Sequence, residues 1–312
     1  MQKVKKMPQA PQITYKSWLM IAVLAFVWGG TFLVTEVALT GITPFWLAAA
    51  RVGFAAAVML FIWAIRGFAL FAEPPDREIV FTLIAVGGLS GAIPFTLLAW
   101  GQQYVTSGFA GVSMASTALI VLPLAHFFVP GERLTPRRVF GFVVGFVGVV
   151  ILIGGQAFET SGQSLETAGR LACIGGASCY ATSSILMRRL PAIDPIGLAS
   201  ILLIIGSCLI IPTAFIVEGP PPLPAPNILL VLAFLGLVPT ATANFMRVLV
   251  VRSAGPVFMS LVNYQVPVWS VVLGALILSE PLPAALLYAM VLILAGLGIS
   301  QYGALRRMFG GP

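Results

Sequence analysis

Residues Gly255–Leu282 read GPVFMSLVNYQVPVWSVVLGALILSEPL. The run is apolar and about as long as a membrane crossing, since a spanning helix needs roughly 20 apolar residues. Asn263-Tyr264-Gln265 and Pro267 interrupt it, and Ser-Glu-Pro-Leu closes it. An earlier run, Ser107–Leu134, closes on Gly-Glu-Arg-Leu. Setting Glu132 on Glu280 gives an offset of 148 residues, and the same offset carries Gly148 onto Gly296. After each Glu come a short polar break and a Gly/Ala-rich apolar helix, FGFVVGFVGVVILIGG from Phe140 and LLYAMVLILAGLGISQYG from Leu286. Further upstream, Thr43-Pro44-Phe45 lies opposite Asp194-Pro195-Ile196 at an offset of 151, so a single small insertion or deletion separates the registers. The chain is expected to hold two copies of one membrane unit, and such repeats meet at the substrate path in many transporters.

Composition agrees. Hydrophobic residues make up 59% of the chain and charged residues 9%, with a mean hydropathy of +1.03. A soluble domain carries about 25% charged residues, so a soluble globule is excluded. The net charge of +7 does not point to nucleic acid, because the basic residues sit in short loops between apolar runs. Cys173, Cys179, Cys208 and the single His126 all fall inside apolar runs. No disulfide, metal or Ser-His-Asp spacing results, so neither metal nor cofactor is expected. The first apolar run, from Trp18, is too long for a cleaved signal and lacks a small-residue cleavage site.

Ten spans are predicted, at 17–37, 44–65, 78–99, 109–129, 136–155, 168–189, 195–217, 227–249, 256–279 and 284–304. If both termini are cytoplasmic, fifteen of the 17 Lys and Arg residues fall on the cytoplasmic side; Arg170 lies outside and Arg51 within a span. That is a strong positive-inside bias. Five spans per copy is an odd number, so the copies are inverted relative to each other, as in many secondary transporters. The fold expected is an all-α polytopic membrane protein. Its first five-helix repeat covers 1–155, an outer linker 156–167 and the inverted second repeat 168–312. The location expected is the bacterial inner membrane, in contact with lipid, as a monomer.

Polar residues deep in a membrane are costly and ask for a reason. Trp28, Trp100, Ser113, Tyr180, Asn244, Ser260, Asn263 and Tyr264 are the expected lining of a central cavity. Ser260, Asn263, Tyr264 and Pro267 share one helical face. Pro94, Pro123, Pro239 and Pro267 each remove a backbone hydrogen bond and mark broken helices or hinges, tolerated where protein or cavity water meets the freed carbonyl. Glu36 and Arg51 are expected to form a structural charge pair between adjacent helices. Trp18, Trp46 and Trp63 lie near span ends and read as interfacial anchors. No carboxylate falls near the middle of a span, which argues for exchange or facilitated diffusion over strong proton coupling.

Ten spans, Trp28-Gly29-Gly30, Pro44 followed by Ala50-Arg51-Val52-Gly53-Phe54, and Gly-Glu-Arg-Leu followed by Gly141, Gly145, Gly148 and Val149 together resemble the drug/metabolite transporter superfamily in its EamA branch. The likeness covers nearly the whole chain, and its ordered set of motifs carries it. Within the superfamily the chain looks most like the YddG-type bacterial amino-acid exporters. The resemblance implies export from the cytoplasm by alternating access through a central cavity. The second copy has Ser-Glu-Pro-Leu for Gly-Glu-Arg-Leu, and Ala289 and Ile293 for Gly141 and Gly145, so looser helix packing is expected there. The function expected is export of small metabolites, foremost neutral and aromatic amino acids. A multidrug exporter of lipophilic cations, using cation–π contacts, is the alternative. An intramembrane enzyme is remote, for want of a nucleophile, metal cluster or paired acids.

Overall fold

The computed structural model describes residues 13–71, 75–129, 132, 134–154, 165–191 and 193–309, and their regular elements are helices. They run α1 Tyr15–Leu39, α2 Pro44–Ile65, α3 Arg77–Gly101, α4 Ser107–Phe128, α5 Pro136–Gly154, α6 Glu166–Met187, α7 Pro195–Glu218, α8 Pro226–Ala254, α9 Pro256–Ile277 and α10 Ala284–Phe309. Three of these are composite. A π-helical turn, Gly88–Ala92, interrupts α3, and a second, Gly236–Thr242, interrupts α8. The turn Pro256–Met259 precedes the main rod of α9, Val262–Ile277. The expected outer linker 156–167 lies largely outside the described residues.

The helix starts follow from local chemistry. Thr14 and Ser17 form a capping box on α1. The side chains of Asp76 and Thr106 accept from Ile79 N at 2.8 Å and Phe109 N at 3.2 Å. Asp194 accepts from Ile196 N and Gly197 N, at 3.1 and 3.0 Å. Such side chains satisfy amide groups that a helix start leaves unpaired. Proline occupies the first position of α2, α7 and α8, where its missing N–H is no loss.

Among the described residues, eight helices are long and apolar enough to cross a membrane, and Val262–Ile277 is a shorter apolar rod. The helix α6 carries Glu166 and Arg170 at its start and is not among the eight. Large apolar side chains face outward, with Phe81, Ile216 and Leu276 exposed by 71%, 84% and 77%. In water such a surface would associate; against lipid it is the ordinary outer face. The chain is a multi-pass membrane protein.

Inside, α5 packs along α10 and α2 along α7, while α4 packs against both α6 and α9 and α1 against α9. The looser packing expected of the second copy is not found, because α5 and α10 form one seam. A Cβ on Gly141 would lie 2.5 Å from the Gly296 carbonyl and 2.7 Å from Ser300 N. Opposite Gly148, Ala289 and Ile293 are fully buried. Small residues on one helix thus receive the larger ones of the other. The anchors also need correction. Trp46 and Trp63 are buried, and their indole N–H groups donate to the Gly219 carbonyl at 3.1 Å and the Ala69 carbonyl at 2.8 Å. They fasten loops to helix ends and do not face lipid. Trp18 is 44% exposed.

Candidate functional site

The two π-turns begin at Gly88 and Gly236, again 148 residues apart. A π-turn inserts one residue into a helix and often marks a functional position. Here each interrupts a helix near the middle of its length. Pro94 lies two residues beyond the first turn and is buried; Pro239 lies inside the second. The Pro239 carbonyl accepts the indole N–H of Trp28 at 2.9 Å. The Thr240 carbonyl accepts from the side-chain amide of Asn244, four residues on. The Thr240 hydroxyl donates to the Leu235 carbonyl at 2.8 Å. Backbone groups that a regular helix would satisfy are met by side chains instead.

Between the turns sits Arg51 of α2. Its Nε donates to Thr240 Oγ1 at 3.0 Å and its Nη2 to Thr31 Oγ1 of α1 at 3.3 Å. Its guanidinium lies over the Phe95 ring of α3, 4.3 Å from the centroid. Phe95 meets Tyr180 of α6 edge to face, at 6.3 Å. Five helices therefore meet around one cation, its own included; Trp28, Tyr180 and Asn244 are half-buried, with Tyr180 against Phe95 and the other two bonded to the π-turn of α8. The π-turn supplies Thr240, and Phe95 lies three residues beyond the other turn.

The Glu36–Arg51 pair is not formed. Glu36 lies beside Gln102 and within electrostatic reach of Glu280, while Arg51 takes two threonine hydroxyls. The reason is helix rotation, which turns the two charges of α1 and α2 toward different neighbours. Gln102 is held by its own amide, which donates to the Phe32 carbonyl at 2.9 Å. One Glu36 oxygen is buried without a hydrogen-bond partner.

The remaining expected lining residues do not gather in one place. Ser113 is fully buried, and its hydroxyl returns to the Ala110 carbonyl at 2.7 Å. Its side chain also meets the Cys173 thiol of α6, which places it in the contact between α4 and α6. Trp100 lies at the far end of α3 against Tyr104, with ring centroids 5.1 Å apart. Ser260 bonds Gln301 of α10 at 3.2 Å, at the opposite end of the bundle. The stripe expected on α9 is broken at Ser260–Leu261. There, three tight i→i−3 bonds close the chain: Leu261 N to Phe258 O, Asn263 N to Ser260 O and Tyr264 N to Leu261 O. Asn263 is exposed, Tyr264 is half-buried with its hydroxyl unpartnered, and Pro267 is buried. Pro123 sits half-buried within an unbroken α4.

At the Glu280 end, two carboxylates hold helix starts of distant segments. Glu218 accepts from Thr43 Oγ1, from Phe45 N at 3.1 Å and from Trp46 N at 3.2 Å. Glu280 accepts from Ser107 N at 2.8 Å and Gly108 N at 3.0 Å. The other end carries the exposed ion pairs, Arg66–Asp194 at 3.4 Å, Arg138–Glu132 at 3.0 Å and Arg188–Glu132 at 3.5 Å. The sequence signals these contacts only by the acid that closes each apolar run, and it does not give their partners. Among the described residues no cluster of His, Cys, Asp and Glu is placed to hold a metal.

Known proteins share this plan. A chain solved by crystallography superposes with a TM-score of 0.65 at 23% identity, over 93% of this chain and 99% of its own; that likeness concerns the fold alone. An uncharacterized transporter of Archaeoglobus fulgidus is 24% identical over 91% of this chain and 98% of its own length. The uncharacterized transporter YoaV of Bacillus subtilis is 22% identical over 94% and 99%. The protein PecM of Dickeya dadantii is 24% identical over 88% and 89%. The profile of the EamA-like transporter family matches residues 16–154 and again 167–301. The chain belongs to the EamA-like transporter family and is a multi-pass membrane transporter.

Proposed function

We propose that this transporter exports small metabolites, foremost neutral and aromatic amino acids, across the bacterial inner membrane by alternating access. In this reading the chain is ten spans in two inverted five-helix halves, with both termini in the cytoplasm, working as a monomer without a cofactor. The observation that carries the reading is the pair of π-turns at equivalent places in α3 and α8, with Arg51, Trp28, Phe95 and Tyr180 between them. Broken helices at mid-membrane, one from each half, are where carriers bind their cargo. Aromatic surface and neutral hydrogen-bonding groups suit a small zwitterion with an apolar side chain.

Rocking of the halves needs contacts that form at one end while those at the other release. The carboxylate caps of Glu218 and Glu280 are suited to one end and the exposed ion pairs of Glu132 and Asp194 to the other. The test is flux of radiolabelled amino acids into and out of proteoliposomes, with and without an imposed pH gradient. Saturable flux insensitive to the gradient is the expected result. Movement of lipophilic cations without amino-acid flux would instead establish the drug-exporter reading.

A further inference from the structure

A buried charge in a membrane helix is either paired or functional. Arg51 has only 7% of its surface accessible, and no carboxylate within 4 Å of it is found among the described residues. The chain shows how it treats a structural arginine. Arg170, 1% exposed, is matched by Glu166 on its own helix and by the Ile153 carbonyl. Arg51 receives nothing of the kind. Two neutral hydroxyls hold it from the side and a ring supports it from below, which fixes its orientation and leaves its charge uncompensated.

The hydrogen-bond inventory points the same way. A guanidinium has five N–H donors in a rigid planar fork. Thr240 and Thr31 occupy one on Nε and one on Nη2. Thr240 cannot be turned away, because its own proton is committed to the Leu235 carbonyl. The donors left over lie on Nη1 and Nη2, the edge that takes a carboxylate in two parallel bonds. Phe95 covers one face of the fork, with Tyr180 beside it.

We infer that Arg51 is the anchor for a carboxylate of the transported molecule, and that the cargo therefore carries one anionic, planar acid group. The inference rests on the transporter reading but not on the choice of amino acids, since an organic acid without an ammonium group offers the same carboxylate. Arg51 is in this reading one half of an ion pair, and the cargo's carboxylate is the other. Lipophilic cations are disfavoured at this position by the same charge.

The experiment measures ligand-induced thermal stabilisation of the purified full-length protein with three probes of one shape. L-Phenylalanine carries acid and amine, 3-phenylpropionate the acid alone and phenethylamine the amine alone. The two carboxylates are expected to raise Tm and phenethylamine to leave it unchanged. Arg51→Lys and Thr240→Val, which lose the fork or its alignment, should each weaken 3-phenylpropionate by about tenfold, the scale of one charge-assisted hydrogen bond. Arg51→Gln should abolish its binding. If Arg51→Gln does not fold, the other two variants and the wild-type probe series decide. Stabilisation by phenethylamine equal to that by 3-phenylpropionate overturns the inference. So does the absence of any carboxylate effect, or 3-phenylpropionate binding left intact in Arg51→Lys and Thr240→Val. Binding of 3-phenylpropionate without binding or flux of phenylalanine would retire the amino-acid reading and leave the Arg51 anchor standing.

Discussion

Thr240 and Ser113 are both small hydroxyl residues buried within spans, and they are expected to behave differently. The Thr240 hydroxyl gives its proton to Leu235 O and meets Arg51 Nε with a lone pair. Valine has nearly its shape and can do neither. Thr240→Val leaves a buried carbonyl and a buried guanidinium N–H unmet, at about 1–3 kcal/mol for each unpaired group. A lowered Tm in detergent is expected, with Thr240→Ser near wild type; equal Tm for Thr240→Val would show that the contact carries no weight. Ser113 bonds back to its own helix and also meets the weakly polar Cys173 thiol of α6, a soft contact with little to lose. Ser113→Ala should stay within about 0.5 kcal/mol in stability and keep wild-type flux in proteoliposomes. The sequence alone ranks these residues the other way, since Ser113 is an expected wall residue and Thr240 is not. What separates them is helix rotation and the neighbour each then meets, and neither is encoded in spacing along one span. Arg51 is legible as the one charge deep in a span. Its partners are not, because the expected Glu36 turns toward Gln102 and Glu280.

At the scale of elements, the end of α9 shows how one acid comes to hold a distant helix. Leu278 N and Glu280 N both bond to the Gly274 carbonyl, at 3.1 and 3.2 Å. Ser279 turns the chain with φ of 55°, a left-handed conformation rare outside glycine. This turn delivers the Glu280 carboxylate to the first amides of α4, where a helix dipole favours negative charge. Glu280→Gln keeps the shape and removes the charge. The expected loss is about 1 kcal/mol, read as a lower Tm and as faster hydrogen exchange at Ser107 and Gly108, with exchange in the α5–α10 seam unchanged. Unaltered exchange at those two amides would mean that the cap does not depend on charge. The repeat is legible here and the role is not. Glu132 and Glu280 align across 148 residues, yet Glu132 meets Arg138 and Arg188 while Glu280 caps a helix. Pro94 and Pro239 signal the π-turns in the sequence, but a proline marks a weak point without telling which backbone form fills it.

At the scale of the whole molecule, the question is which way each half faces. In the proposed ten-span topology the basic residues favour one side by fifteen to one. The lone exception, Arg170, is buried and neutralised by Glu166, so it weighs little in the electrostatic choice made during insertion. The loops 219–225 and 188–194 lie at opposite ends of α7. The proposed inverted arrangement assigns the first to the outside and the second to the cytoplasm, although Gly219 follows α7 of one half much as Gly67 follows α2 of the other. Single cysteines at Pro221 and at Arg189, in a background with Cys173, Cys179 and Cys208 replaced, separate the two faces. An impermeant maleimide should label Pro221→Cys in intact cells and Arg189→Cys only after lysis. The reverse pattern would invert the whole orientation and place the Glu280 caps on the cytoplasmic side. Labelling of both in intact cells would break the assignment of α7 as a crossing, and with it the odd number of spans per half from which the inversion follows. An α7 that fails to cross would also undo the approach of Glu218 to α2, so the labelling pattern tests the packing and the topology together.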